Sequence, residues 1–597
     1  MLKKRIEEDL KKAVEDLGYS VTDIVLTSSK NPLFGDYSTN IALQLAKQRS
    51  SNDKQSPQEI AKKIIGNLGN LSYLSNLEIA GGGFINFFLK DETLLSNLGS
   101  LSNLSLQKKN HEKVMVEFTD PNPFKEFHIG HVFSNAVGES LARLFEARGD
   151  VVWRANFFGD VGMHVAKAIY GILNKLKRED LTFRDLEKMP LSERIKFMGQ
   201  AYVLGAAAYE EDRPKEEMEK LNLLIFVAAQ QYWQEAKGWE PRVDYRKHIN
   251  HIDEEELKEI KNIWITGRKW SLEYFETIYQ LLGTKFDGYY PESLTGEWGY
   301  NFVLEGLKKG IFETSEGAII YRGEKHGLHT RVFINKLGLP TYETKDIGNA
   351  PHKYSEFKYD KSVIVTANEI NEYFKVVIAA MKEVNPDLGR KTIHLGHGVV
   401  RLKSGKMSSR TGTVFTLEEL FEIVKSKIAA LLKDFPDSEK EQTINKVSIG
   451  AIKFAMLKHQ PEVDTIFDIE KSVALEGDSG PYIQYTYARA RSVLRKNLSD
   501  LSDSSNLSKL EAEERQILQK IEYFDGVVEE AIQSLHPNII ASYLLELAAN
   551  FNLFYQKYRI LDAGEGKKDF RLSLTNTVAN ILKQGLFLLG IEAPERM

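Results

Sequence analysis

The sequence predicts an α/β protein in three parts: an N-terminal α+β domain over residues 1–110, a parallel-sheet domain over 111–436, and an all-α C-terminal bundle over 437–597. Three observations lead there. From residue 114 to about 430, strand-like and helix-like runs alternate, as they must where crossover helices connect parallel strands. One complete strand–helix–strand unit is legible between Val114 and Phe158. Beyond 437 the apolar spacing is nearly all helical.

The elements follow in order. Leu2, Ile6, Leu10, Val14 and Leu17 recur at helical spacing on a charged segment, which predicts an amphipathic first helix and not a secretory leader. Gly81–Leu89 reads as a short strand, and the Ser/Asn/Leu-rich stretch Asn97–Lys113 as a boundary. Val114–Phe118 is β-rich. The loop TDPNPFKEF and a helix follow, with Val132, Ala136, Val137, Leu141, Leu144 and Phe145 on one face and a stop at Gly149. Val151–Phe158 is the next strand. Ala166–Lys261 is Glu/Lys-rich and helical, read as an insertion with solvated faces. A second Ser/Asn-rich stretch, Lys496–Lys509, reads as a loop between helices.

Composition narrows the function. The 597 residues carry 79 Lys and Arg against 84 Asp and Glu, a net charge of −5, so the chain does not coat nucleic acid by bulk charge. Cysteine is absent, which excludes disulfides, Fe–S clusters, Cys-based zinc sites and a catalytic thiol. The longest apolar stretch, Leu223–Ala229, is far short of the ~20 residues that span a bilayer. A cytoplasmic protein without membrane contact is expected.

The chemistry concentrates at His128-Ile129-Gly130-His131. Two imidazoles three residues apart share one side of a helix's first turn. Free backbone N–H groups and the helix dipole there favour phosphate, and Gly130 lets a nucleotide approach. Chance predicts about 0.02 such H-x-G-H patterns in a chain of this composition. The pattern occurs again at His394–His397, but before a strand and loop, so strand-end histidines are the expected reading there. Lys403 to Gly412 form a small-residue loop with the cations Lys403, Lys406 and Arg410, suited to closing over a polyphosphate. No P-loop run is present.

This pair of elements resembles the two ATP-binding elements of class I aminoacyl-tRNA synthetases. The segments Glu117–Gly162, Phe286–Ser293, Thr341–Gly348, Gly477–Lys496 and Phe551–Leu561, with the terminal GLFLLGIEAPERM, are similar to arginyl-tRNA synthetases in particular. The likeness runs from the GDYSTN segment at Gly35 to Met597. It implies a Rossmann-type catalytic domain, an N-terminal tRNA-binding domain and a C-terminal anticodon-binding bundle in a monomer. It also implies ATP with Mg²⁺ as substrate, no structural metal, and L-arginine and tRNA(Arg) as partners. The family activates arginine through attack of its carboxylate on the α-phosphate, in the presence of tRNA, and then esterifies the 3′-terminal adenosine. No enzyme nucleophile is needed.

By resemblance, His128, Gly130, His131, Lys406, Met407 and Ser408 bind ATP, and His128, His131, Lys403, Lys406 and Arg410 carry catalysis. Glu117 and Asn122 match positions near the α-amino end of arginine, and Glu292, Tyr342 and Asp346 match guanidinium positions. A guanidinium never deprotonates and demands such acceptors. A site of paired polar contacts rejects analogues by about 10⁴-fold or more, so an editing domain is unnecessary. Phe84 and Asn86 match positions facing the tRNA elbow. Arg489, Arg491, Arg495 and Lys496 suit phosphates; Tyr555 and Tyr558 are read as anticodon contacts, and Phe551 and Phe554 as core.

Three departures from the family pattern stand out. Ser409 replaces the second Lys of the K-M-S-K-S loop, leaving Lys403 or Arg410 to substitute. Ile370 stands where a Gln often helps hold the amino acid, and Asp120, where Ser is usual, is expected to face water. Another class I synthetase and an inactive tRNA-binding paralogue remain the alternatives.

Overall fold

The structure, a computed structural model, describes residues 2–21, 24–29, 32–47, 55–101, 111–403, 415–433, 435–496, 510–564 and 566–597. At its centre lies a five-stranded sheet of β1 (Lys113–Glu117), β2 (Val151–Phe158), β3 (Gly288–Pro291), β4 (Lys361–Ala367) and β5 (Thr392–His397). The order is β5-β4-β1-β2-β3 and every pairing is parallel. Strand order therefore reverses at β1. A crevice opens beside the C-terminal ends of β1 and β4, where open parallel sheets bind ligands. Val114, Met115 and Val116 are fully buried, as a strand covered on both faces requires.

Helix α1 (Ile129–Arg148) joins β1 to β2 and stops at Gly149 in the left-handed conformation, as its sequence predicts. Its expected apolar face is buried, but so are Ser134, Asn135, Glu139 and Ser140 on other faces. The reason lies near the C-terminus. Ser140 donates to the Leu588 carbonyl and Arg143 to that of Phe587, so the last helix (Lys567–Leu588) covers the side expected to be open. On the sheet side Gly138 lets α1 pack against the residue that follows β1: a Cβ there would fall 2.1 Å from Phe118 Cγ. Gly138→Ala is therefore expected to lower the melting temperature. Overpacking of ~1–3 kcal/mol outweighs the ~1 kcal/mol gained in helix propensity. An unchanged or raised melting temperature would contradict that contact.

Between Met163 and Leu282 the described regular structure is helical, in agreement with a strand-free insertion over Ala166–Lys261, although Met218, Leu224 and Ile225 within it form core and not solvated faces. The N-terminal region is richer in β structure than its sequence suggests. Leu26–Ser28, Tyr37–Thr39, Phe84–Leu89 and Leu74–Ala80 form an antiparallel sheet in that order, and only Phe84–Leu89 was legible. Asp36 ties this sheet to the C-terminal helix Ala512–Ser534: its carboxylate accepts from Leu89 N at 2.7 Å and from Arg515 at 3.0 Å. Past residue 437 the described regular structure is helical except for Thr465–Phe467, which pairs in parallel with Val400–Leu402. No helix among the described residues is long and apolar enough to cross a membrane.

Candidate active site

The loop from β1 to α1 holds Thr119, Asp120 and Phe124 at φ of 78°, 45° and 66°, conformations that non-glycine residues keep only where the surroundings enforce them. Side chains do the enforcing. Phe124 N donates to Ser271 Oγ at 2.9 Å, Phe157 N to Asp120 Oδ1 at 2.9 Å, and Gly159 N to Asn122 Oδ1 at 2.9 Å. Asp120 thus does not simply face water, as expected from sequence. It pins β2 to the loop, and burial with nearby Glu117 raises its pKa well above the usual carboxylate value.

At the start of α1, His128 is the N-cap. Its Nδ1 accepts from Gly130 N at 3.1 Å, and His131 Nδ1 accepts from His128 N at 3.2 Å. The two rings stack at 3.6 Å. These bonds correct the expectation of free backbone donors. Ile129 N reaches the Phe415 carbonyl, and His131 N and Val132 N both reach that of His128, so the first turn satisfies itself. The donors left for a ligand are the imidazoles. With Nδ1 accepting, a neutral ring carries its proton on Nε2. Burial, with Lys125 nearby, lowers His128 to about 4; burial and then His128 lower His131 well below its usual value. Both are therefore neutral single donors at neutral pH.

The second H-x-G-H copy lies on β5, as a strand and not a helix start. His394 stacks on Phe374 at 4.1 Å and bonds Thr366 at 2.7 Å. His397, buried at the strand end, packs its ring 4.8 Å from Phe133 of α1 and adds to the depression of His131. The parallel topology brings the copies together, which sequence spacing alone did not indicate.

On the other side of the crevice stand α2 (Glu292–Lys308), α3 (Tyr342–Glu356) and α4 (Asn371–Val384). Glu117, at the end of β1, pairs with Lys353 of α3 at 2.5 Å and accepts from Asn349 at 3.3 Å. Glu292 pairs with Lys345 at 2.7 Å. Asp346 accepts from the hydroxyl of Tyr373 on α4, and burial raises it to about 7. Glu117 and Asp346 line one cavity of about 10 Å³, room for a single water. A Cβ on Gly159 would meet Asn122 Oδ1 at 2.6 Å, His164 Cε1 at 3.0 Å and Glu292 Cδ at 3.2 Å, and one on Gly162 would come within 3.9 Å of the Tyr342 hydroxyl. Asn122, Glu292 and Tyr342, drawn from three segments, thus converge around these two glycines. Tyr342 is 54% exposed and Ile370 40%.

The family models match along the chain in one order: an arginyl-tRNA synthetase N-terminal domain over residues 1–89, the class I (R) tRNA synthetase catalytic domain over 93–469, and a DALR anticodon-binding domain over 483–597. The chain belongs to the class I arginyl-tRNA synthetases. The arginine–tRNA ligase of Flavobacterium psychrophilum is 32% identical, covering 87% of this chain and 85% of its own. That of Clostridium acetobutylicum is 30% identical over the whole of both chains. The solved Thermus thermophilus arginyl-tRNA synthetase shares the fold at a TM-score of 0.81 and 24% identity, covering both chains fully. Membership of class I implies ATP as a substrate.

Several residues of this synthetase were not singled out from sequence. His164, buried and lowered to about 3, bonds the Gly159 carbonyl at 2.7 Å. Lys345, Lys353 and Tyr373 each hold an acid of the pocket, and Lys125 adds to the depression of His128, His131 and His164. None sits in a pattern with a spacing of its own, so only the fold reveals them. Lys403 is exposed and paired with Asp468 at 2.8 Å. Lys406, Met407, Ser408 and Arg410 lie outside the described residues.

Among the residues expected to meet tRNA, Phe84 is exposed, whereas Asn86 is buried with its Oδ1 taken by Ser38 at 2.7 Å. Arg491 and Arg495 keep about a third of their side chains exposed, 32% and 35%, and both are held by the terminus: Arg491 pairs with Glu595 at 2.9 Å and Arg495 bonds the Glu595 carbonyl at 2.8 Å. Arg489 donates to Asn552 and lies 5.2 Å over the ring of Tyr555, which is 40% exposed. Tyr558 donates to Glu513 at 2.8 Å. Phe551 and Phe554 are core, as expected.

Proposed function

We propose that this synthetase activates L-arginine with ATP, releasing pyrophosphate, and transfers arginine to the 3′-terminal adenosine of tRNA(Arg). The observation that supports it most is the convergence, beside the switch point of one sheet, of two neutral imidazole donors with a buried carboxylate wall. His128 and His131 present Nε2–H groups to the phosphates, where charge builds as the arginine carboxylate attacks the α-phosphate. Gly130 lies against the adenosine, and Lys406 closes over the pyrophosphate with Lys403 or Arg410 assisting. Asp346, Glu292 and Tyr342 receive the guanidinium, and Asn122 and Glu117 the α-amino end. Catalysis is positioning and charge stabilisation, without a covalent enzyme intermediate. Mg²⁺ accompanies the nucleotide as a counter-ion of its phosphates. We place the enzyme in the cytoplasm as a monomer, which sedimentation at the single-chain mass of 68.0 kDa would support.

The test is pyrophosphate exchange with each amino acid in turn, tRNA(Arg) present. Exchange with arginine alone is expected; exchange with any other amino acid would refute the assignment.

A pH dependence follows from Asp346. With its pKa at about 7, the free protein holds a proton there that a guanidinium partner displaces. The arginine KM is expected to fall as pH rises from 6 to 8, by up to about tenfold per unit below 7. A flat arginine KM across that range would remove Asp346 from the guanidinium site.

A further inference from the structure

Two of the three acids in the pocket are already matched by lysines, and the two pairs differ. Lys353 and Glu117 are both 2% exposed, and Glu117 also accepts from Asn349, a closed arrangement at the sheet end. Lys345 and Glu292, with side chains 5% and 10% exposed, are also buried but differ in what surrounds the cation. The Lys345 ammonium lies 2.7 Å from Glu292 Oε2 and 4.6 Å over the ring of Tyr342, itself half open to solvent. The ring of Phe226 lies 5.7 Å away on another side. A carboxylate below and an aromatic face beside it form a seat for a cation, and carboxylate and ring are the groups proposed to receive the guanidinium.

We propose that Lys345 is an internal stand-in for the substrate: its ammonium occupies the seat between Glu292 and Tyr342 and must leave it before the guanidinium of arginine binds there. The inference rests on the reading of Glu292 as a guanidinium acceptor. The chemistry of the exchange favours arginine. An ammonium on a flexible four-carbon stem is a point charge, whereas a planar guanidinium binds a carboxylate through two parallel bonds and stacks on an aromatic face. The buried carboxylate never stands without a partner, which its desolvation would make costly. Neutral side chains and cations unable to form the paired bonds do not displace the tether. Lys345 therefore sets a threshold for arginine and adds to specificity without touching the reacting atoms.

The stand-in and a permanent counter-ion give opposite signs on substitution. We would measure the arginine KM and kcat of aminoacylation at saturating ATP and tRNA(Arg), pH 8, for full-length Lys345→Met and Lys345→Arg. Met keeps the stem and removes the competitor, so the arginine KM is expected to drop by about tenfold, the inverse of the fraction of protein whose seat is open. Arg supplies a tethered guanidinium, a stronger competitor, and the KM is expected to rise by about tenfold or more, with kcat nearly unchanged. Should Lys345→Arg behave as wild type while Lys345→Met binds arginine no better or worse, Lys345 is a structural partner and the inference falls. If Lys345→Met does not fold, the sign for Lys345→Arg decides alone. Glu292→Gln in the same assay separates the two levels. An unchanged arginine KM there removes Glu292 from the site and takes the stand-in with it; a raised KM without the opposed lysine effects defeats the stand-in alone.

Discussion

Asp346→Asn raises the arginine KM by about 10²–10³-fold and the ATP KM by less than about threefold, if the account is right. The carboxylate lines the cavity beside Glu117, partly buried, and accepts from the Tyr373 hydroxyl, so it is pre-aimed into the pocket. Asn keeps the shape and one acceptor but removes the charge, leaving a permanently cationic guanidinium short of its counter-ion in a dry site. Truncating one member of such a pair costs about 2–5 kcal/mol, which at about 1.4 kcal/mol per decade is about 30- to 4000-fold and brackets the stated range. The loss should be greater at pH 8 than at pH 6, because the wild-type group at about 7 is ionised only in the former. The variant should also lose the pH dependence of KM. Ionising Asp346 in its buried site destabilises the free protein as pH rises through about 7, and arginine should relieve that cost. Equal changes in the arginine and ATP KM would place Asp346 elsewhere.

His128→Ala and His131→Ala should each lower kcat of arginine-dependent pyrophosphate exchange by about 10²–10³-fold, the usual effect of deleting one preorganised donor. Part of the His128 effect is structural, since its Nδ1 caps Gly130 N, a contribution of about 1 kcal/mol to the helix start. His128→Asn, which restores a cap without the Nε2 donor, separates the two: stability returns and kcat does not. Because the folded pKa of His128 is lowered to about 4 from 6.5, the unfolded chain binds that proton more readily. Stability from this group is complete above pH 6.5 and is lost as pH falls toward 4. The catalytic donors should then show no titration between pH 6 and 8. A rate limb near 6.5 traced to His128 would mean a cation and not a neutral donor.

The legible part of this protein is what local pattern encodes. The strand β2 and the stop of α1 at Gly149 stand as the sequence indicates, because β-branched and aromatic residues favour strands and left-handed caps favour glycine. The short antiparallel strands Leu26–Ser28 and Tyr37–Thr39 carry only three residues each, too few for a period of two to register. The His pair was found, but its backbone donors were assigned wrongly, since nothing in H-x-G-H tells that the imidazoles themselves occupy them. The tie of Arg491 and Arg495 to Glu595 was not legible, because that partner is distant in sequence and adjacent only in the fold. The same holds for Tyr373 with Asp346 and Lys345 with Glu292. Charges that meet across elements leave no spacing to read.

The most direct test is esterification of a tRNA(Arg) transcript by the full-length protein, with ATP and each of the twenty amino acids labelled in turn. Accumulation of arginyl-tRNA alone, abolished in the His128→Ala His131→Ala double variant, is the result expected. No charging by the intact protein, or charging with a different amino acid, would contradict the account.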